Sequence, residues 1–214
     1  MPISVRSSIQ FGWQTFKERP WFLVGTGVLL VIIHTVLSLP DYAPAQGAAT
    51  ASLALGILSF VAFLLSFLVD LGTTNFMLRT HDNVGSVQLR DLWRPDLYWR
   101  YLGAVILVGL SVLGGLILLI IPGIIFALAL SFASILVVDR GLGPIAAMKE
   151  SMRLTKGYRW RLLLFFLALI LLNVLGVLLL LVGLLVTMPI SALAWLHIYR
   201  AIEKEKLSED IMTA

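Results

Sequence analysis

Residues 138–160 read V-D-R-G-L-G-P-I-A-A-M-K-E-S-M-R-L-T-K-G-Y-R-W, the most charged connection in a chain that otherwise reads as lipid-soluble. On either side, the runs 101–138 and 162–199 are equally long and contain no Asp, Glu, Lys or Arg. A single helix of that length would extend about 57 Å at about 1.5 Å per residue, nearly twice a hydrocarbon core of about 30 Å. Each run must turn back on itself. The pattern predicts two helical hairpins joined by the basic stretch on one side of a membrane.

The composition agrees. Of 214 residues, 59% are hydrophobic and 13% charged, with a mean hydropathy of +0.97, whereas soluble domains carry about 25% charged residues. The expected class is an all-α, polytopic integral membrane protein. Cys is absent, which excludes disulfides, thiolate metal sites and cysteine nucleophiles. The segment 1–20 scatters Arg6, Lys17, Glu18 and Arg19 among apolar positions. It lacks the apolar core of a signal peptide, so the N-terminus is expected to be retained.

Taken in order, residues 3–18 place Val5, Ile9, Trp13 and Phe16 on one helical face, opposite Arg6, Gln10, Gln14 and Lys17. That pattern predicts a helix in the headgroup plane with Trp and Phe dipping into the acyl boundary; a frayed tail is the plain alternative. Spans are expected at about 21–39, 51–79, 100–121, 123–138, 160–182 and 184–202. The second carries a seam of Ser52, Gly56, Ser59, Ala62, Ser66, Asp70 and Thr73, which predicts close packing inside the bundle. Residues 86–98 read as a second interfacial helix broken at Pro95. Pro122-Gly123 and Gly183 are the expected outer turns. Residues 144–156 form a third interfacial helix, opened by Pro144 and closed by Gly157. Its apolar stripe, expected to face lipid, is Ile145, Met148 and Met152, and its basic stripe, expected among the headgroups, is Lys149, Arg153 and Lys156. Residues 1–203 thus make one membrane domain of six spans in three hairpins, each preceded by an interfacial amphipathic helix. Residues 204–214 read as a polar, poorly ordered tail.

All 16 Lys and Arg fall on one side of this layout. By the positive-inside rule both termini are cytoplasmic. An internal repeat follows the same frame: L-S-V-L-G at residues 110–114 matches L-N-V-L-G at 172–176, and Trp21, Trp99 and Trp160 each open an odd-numbered span. Three copies in the same sense suggest a pseudo-threefold bundle, although the matches are short and apolar.

Pro122-Gly123, Asp139-Arg140, Gly143, the A-x-x-x-S-x-x-L-T run at residues 147–155 and the aromatic-basic segment 158–161 resemble the YciC-like family of bacterial inner-membrane proteins. The same stretch is similar to the membrane domain of some glycerophosphodiester phosphodiesterases. The resemblance is confined to residues 121–161. It implies a multi-pass protein of the bacterial cytoplasmic membrane; the phosphodiesterase catalytic domain has no counterpart here, so no catalytic residue carries over.

Candidate sites are few. Asp70 is the one acidic group expected at membrane depth, where a carboxylate is a functional candidate by default, but water or Arg200 could satisfy it near the span's inner end. Asn173 sits mid-span, His34 toward the outer part of span one and His197 near the inner end of span six; an interhelical hydrogen bond or packing role explains each. Glu203 and Glu205 read as solvated. Metalloprotease, P-loop and nucleophile-elbow motifs are absent. No metal, cofactor or nucleic-acid partner is expected, and the protein is not expected to be an enzyme. The favoured expectation is a non-catalytic protein that binds anionic membrane lipid through Lys149, Arg153, Lys156, Arg159 and Arg161, though positive charge that merely sets topology explains much of the same pattern. The alternatives are a small transporter or channel using the seam around Asp70, or an assembly subunit of a membrane complex; the sequence leaves a protein partner or second copy open.

Overall fold

The chain breaks into helices where apolar runs meet proline, an extended residue or a charge cluster. The computed structural model describes residues 4–42, 49–178 and 182–213, and no strand occurs among them. Helix α1, Val5–Glu18, is opened by the Ser4 hydroxyl, which accepts from Ser7 N at 3.4 Å. Proline at position 20 disfavours a helical conformation for Arg19, which ends α1, and stands first in α2, Pro20–Ser38, where no N–H is needed. Helix α3, Ala49–Asn83, is followed by two short 3-10 turns, Leu89–Leu92 and Pro95–Leu97. Then come α4, Tyr98–Leu118; α5, Ile120–Ala129; α6, Ala133–Arg140; α7, Pro144–Thr155; α8, Arg159–Leu178; and α9, Val182–Thr213.

Among the described residues, six helical segments are long and apolar enough to cross a membrane: Pro20–Ser38, Leu53–Asn83, Leu89–Leu118, Ile120–Arg140, Arg159–Leu178 and Gly183–Met212. Large apolar side chains lie exposed along most of them, a surface that water would not tolerate and lipid would. The main core gathers α6 and α9 with parts of α3, α4, α7 and α8, around Phe132, Leu136, Phe165, Ile198 and Tyr199. A smaller cluster joins Phe16, Leu23, Phe76, Val87 and Ile190.

Several expectations change. In α1 the buried face is Ser8, Gly12, Thr15 and Phe16, packed on α9. A side-chain carbon at Gly12 would lie 2.6 Å from the Ile190 carbonyl oxygen, so only glycine allows this approach. Phe16, expected in lipid beside Trp13, is buried in protein because the small face lets α1 close onto α9. The seam of α3 is only partly enclosed over its first half: Gly56 is exposed with open space around it, Ser59 and Ser66 are half-buried, and Ala62 is buried. Apart from Ala62, burial starts near Leu71, where α9 and α6 meet the helix.

Residues 86–98 form 3-10 turns rather than an interfacial helix. Asp91 accepts from Gln88 N at 2.9 Å, and Asn75 of α3 donates to the Asp91 carbonyl at 2.7 Å. These bonds fold the segment back onto α3, where it presses on Gly72. The turn expected at Pro122-Gly123 lies at Leu119, in extended backbone between α4 and α5. Pro122 instead occupies the first turn of α5, where its missing N–H costs nothing. Gly183 lies within α9, and residues 179–181 are outside the described residues.

The polar tail is not loose, because α9 continues through it to Thr213. Lys206 pairs with Glu209 at 2.7 Å and Asp210 with Arg153 of α7 at 2.8 Å. Acid and base three residues apart support helix, and the bond to α7 holds it against the bundle.

Candidate functional site

Helix α7 is what organises the charged end. It buries Ala147, Ser151, Leu154 and Thr155 against the bundle, while the apolar stripe expected to face lipid stays open, with Ile145 exposed and both methionines half-buried. The reason is a break between α5 and α6. Ser151 Oγ donates to the Ala129 carbonyl at 2.8 Å and accepts from Phe132 N at 3.1 Å. Thr155 Oγ1 also reaches Ala129 O at 3.2 Å. The hydroxyl face of α7 thus supplies partners that the interrupted helix lacks. Gly157, at φ +90°, reverses the chain immediately afterwards, a conformation that other residues adopt at a cost.

Around α7 lies a charge network. Arg200 donates to both Asp139 oxygens at 2.8 and 2.9 Å, to Asp82 at 2.9 Å and to Glu203 at 3.1 Å. Tyr199 donates to Asp139 at 2.7 Å. Arg140 reaches Glu203 at 3.0 Å and Glu150 at 3.1 Å. Arg153 pairs with Glu150 and Asp210, both at 2.8 Å. The hydrogen bond from Arg153 holds the Glu150 carboxyl below its ordinary range, and Glu150 in turn raises Arg153. Burial pushes the Tyr158 hydroxyl up to about 12, helped by its hydrogen bond to Glu205. Glu203 and Glu205 are therefore bonded, not simply solvated. Sequence reasoning missed this network, whose only signal was the adjacent Asp139 and Arg140.

The five basic candidates separate. Arg153 is engaged by two carboxylates and is not free to meet headgroups. Lys149, Lys156 and Arg161 are exposed and form no ion pair among the described residues. Arg159 is half-buried, and its Nε–H is enclosed without an acceptor. Lys156, Gly157, Arg159 and Trp160 line a cleft of about 300 Å³. Trp21, Trp99 and Trp160, at the starts of three spans, are 87%, 78% and 78% exposed.

Directly along α8 from this cleft, Leu163, Phe166 and Ile170 line an apolar groove of about 570 Å³, closed by Ile124 and Leu128 of α5 and Trp195 of α9. Arg159, Leu163, Phe166 and Ile170 follow at steps of four, three and four, so they share one helix face. On this face Arg159 of the cleft stands one turn before Leu163 of the groove, so the two follow each other along one strip of α8.

Polar groups deeper in the bundle have other partners. Asp70 lies 3.2 Å from His34 Nε2, with side chains 48% and 43% exposed; it does not meet Arg200. Asn173 donates across to Ser191 at 2.9 Å and to Leu169 O at 2.8 Å. His197 lies 3.4 Å from His81, and Phe11 of α1 stacks on it with ring centroids 4.3 Å apart. Among the described residues no group of three or more His, Asp or Glu is placed to hold a metal ion. Asp70→Asn keeps an acceptor for His34, whereas Asp70→Leu does not. Thermal unfolding in detergent should show Leu costing about 1 kcal/mol more than Asn, the scale of an interhelical hydrogen bond.

This architecture is that of a multi-pass helical membrane protein. Residues 97–202, which include α4 to α8 and most of the apolar part of α9, match the family described as "Domain of unknown function (DUF7847)". The chain is similar to uncharacterized protein Rv2560 of Mycobacterium tuberculosis and uncharacterized protein Mb2590 of Mycobacterium bovis. Each is 27% identical over 240 residues, covering 99% of this chain and 72% of the relative. No solved structure matches the chain.

Proposed function

We propose that this protein is a non-catalytic component of the bacterial cytoplasmic membrane that binds anionic phospholipid at the inner leaflet. The observation that carries this reading is the cleft at Lys156, Arg159 and Trp160, where a guanidinium Nε–H is enclosed without an acceptor beside a second cation and an exposed indole. A phosphate oxygen would satisfy that donor, and Arg159 stands at the first turn of α8, an end of a helix that favours an anion. The three exposed tryptophans suit headgroup depth. With every Lys and Arg on one side of the six-span layout, that side is the cytoplasm in this reading, and both termini lie there. The six spans then form three hairpins, with α1 and α7 at the interface.

The basic set is smaller than the sequence suggests. Arg153 fastens the tail, so its replacement would disturb folding as well as charge. The informative variant is Lys156→Gln with Arg159→Gln. At about 1 kcal/mol per cation near an anionic surface, the pair is worth about 2 kcal/mol, or roughly 30-fold in affinity. Native mass spectrometry of protein reconstituted with phosphatidylglycerol and phosphatidylcholine should show that loss for the anionic lipid alone. Equal retention of phosphatidylglycerol by wild type and variant would overturn the proposal.

A further inference from the structure

The groove beneath the cleft has no role in headgroup binding, and three of its features define an occupant. Its lining is almost wholly apolar: Ile124, Leu128, Leu163, Phe166, Ile170 and Trp195. Its two serines are already engaged, since Ser131 donates to Leu128 O and Ser191 accepts from Asn173. Its volume of about 570 Å³ falls within the range of about 300–1,000 Å³ common to small-molecule sites.

Length and charge decide the rest. From Arg159 to Ile170 the strip follows α8 for about 16 Å at about 1.5 Å per residue. One leaflet is half of a hydrocarbon core of about 30 Å. The strip therefore matches the depth of a single leaflet, with cations at one end and hydrocarbon along the remainder. A polar solute would leave the lower part unfilled, and a helix of a partner would have to bring an anion to Arg159 and no polar group below it.

We infer that the groove holds one acyl chain of a phospholipid whose phosphate sits between Lys156 and Arg159, so that the protein selects lipids by chain as well as by charge. This rests on the headgroup reading and extends it. The chain packs between α5 and α8 against the Trp195 indole, which itself packs on Phe165 and Phe166 at ring-centroid distances of 6.1 and 5.3 Å.

Ala127 lines the groove and is exposed, so Ala127→Trp fills the space without disturbing the core. Leu164→Trp, on an exposed position outside the groove, is the control, and Ala127→Phe serves if the tryptophan variant does not fold. The probes are dioleoyl and dihexanoyl phosphatidylglycerol, titrated in native mass spectrometry. Filling the groove should weaken dioleoyl binding at least ten-fold and leave dihexanoyl binding, which needs only the cleft, within two-fold; the control should change neither. Dioleoyl binding unchanged by Ala127→Trp or Ala127→Phe would overturn the inference. The two readings fail separately: loss of chain dependence with the Gln variants still discriminating against phosphatidylglycerol removes the groove alone. Chain dependence without charge dependence removes the phosphate placement, and with it this inference as stated.

Discussion

Arg200→Met is expected to lower the free energy of unfolding by about 3 kcal/mol, at the lower end of the range for breaking a largely buried ion pair. Arg200 spreads its guanidinium across Asp139 in a two-pronged contact at 2.8 and 2.9 Å and also holds Asp82 and Glu203. Asp139 and Glu203 are 14% and 12% exposed, so removing the cation strands carboxylates that water reaches poorly. Arg200 itself is 27% exposed, which keeps the cost from rising further. Arg200→Lys should cost about half as much, because an ammonium retains the charge and loses the fork. The double variant Arg200→Met with Asp139→Asn should be more stable than the two single costs added together predict, by at least about 1 kcal/mol. Urea unfolding in a mild detergent, followed by tryptophan fluorescence, reads the wild type, the three single variants and the double variant. Simple additivity would mean that Arg200 and Asp139 act independently despite their distance.

The six long helices were legible because their signal is a length: an apolar run either reaches across a bilayer or it does not, and the runs 101–138 and 162–199 each have one sensible division. Helix α7 was legible at both ends, since proline and glycine act on the backbone locally, whatever the rest of the fold does. Its contact with the rest of the bundle was not. Hydrophobicity marks one stripe, Ile145-Met148-Met152, for lipid and is silent on the second, Ala147-Ser151-Leu154. The second is buried because the surface it meets is interrupted backbone at residues 129–132, where hydroxyls stabilise more than methylenes. The same comparison explains α1, where the small face of Ser8 and Gly12, rather than the aromatic one alone, sets the contact with α9.

Partners far apart in sequence were beyond reach. Arg200 meets Asp139 and Asp82 from 61 and 118 residues away, and no local spacing marks such pairs. His34 and Asp70 were assigned different depths because span two was expected to end at residue 79. In the structure α3 runs on to Asn83, so His34 and Asp70 each lie about 20 Å from the charged ends of their helices, at about 1.5 Å per residue. A boundary error of that size is about one helical turn, enough to separate two groups that touch. The tail was readable in principle: E-K-E-K followed by L-S-E-D spaces acid and base at helical intervals, and apolar Leu207 and Ile211 stand four residues apart along it.

Removing both hydroxyls of α7 should disconnect it from the rest of the bundle. Ser151→Ala alone leaves Phe132 N–H buried with no acceptor, while Ala129 O keeps its bond from Thr155. One stranded buried donor costs about 2 kcal/mol. Thr155→Val alone should cost less, about 1 kcal/mol, since Ser151 still serves both backbone groups. The double variant strands Ala129 O as well, so its loss should exceed the sum of the singles and approach about 4 kcal/mol. That excess is the distinguishing feature, because two hydroxyls that merely filled space would add without coupling. Amide exchange supplies the local readout: Phe132 should lose protection in Ser151→Ala, with α9 unchanged, and the double variant should expose residues 129–133 and release the Arg153–Asp210 contact together. If Phe132 stays protected in the double variant and the costs simply add, the break between α5 and α6 is held by its own packing, and the A-x-x-x-S-x-x-L-T spacing has another purpose.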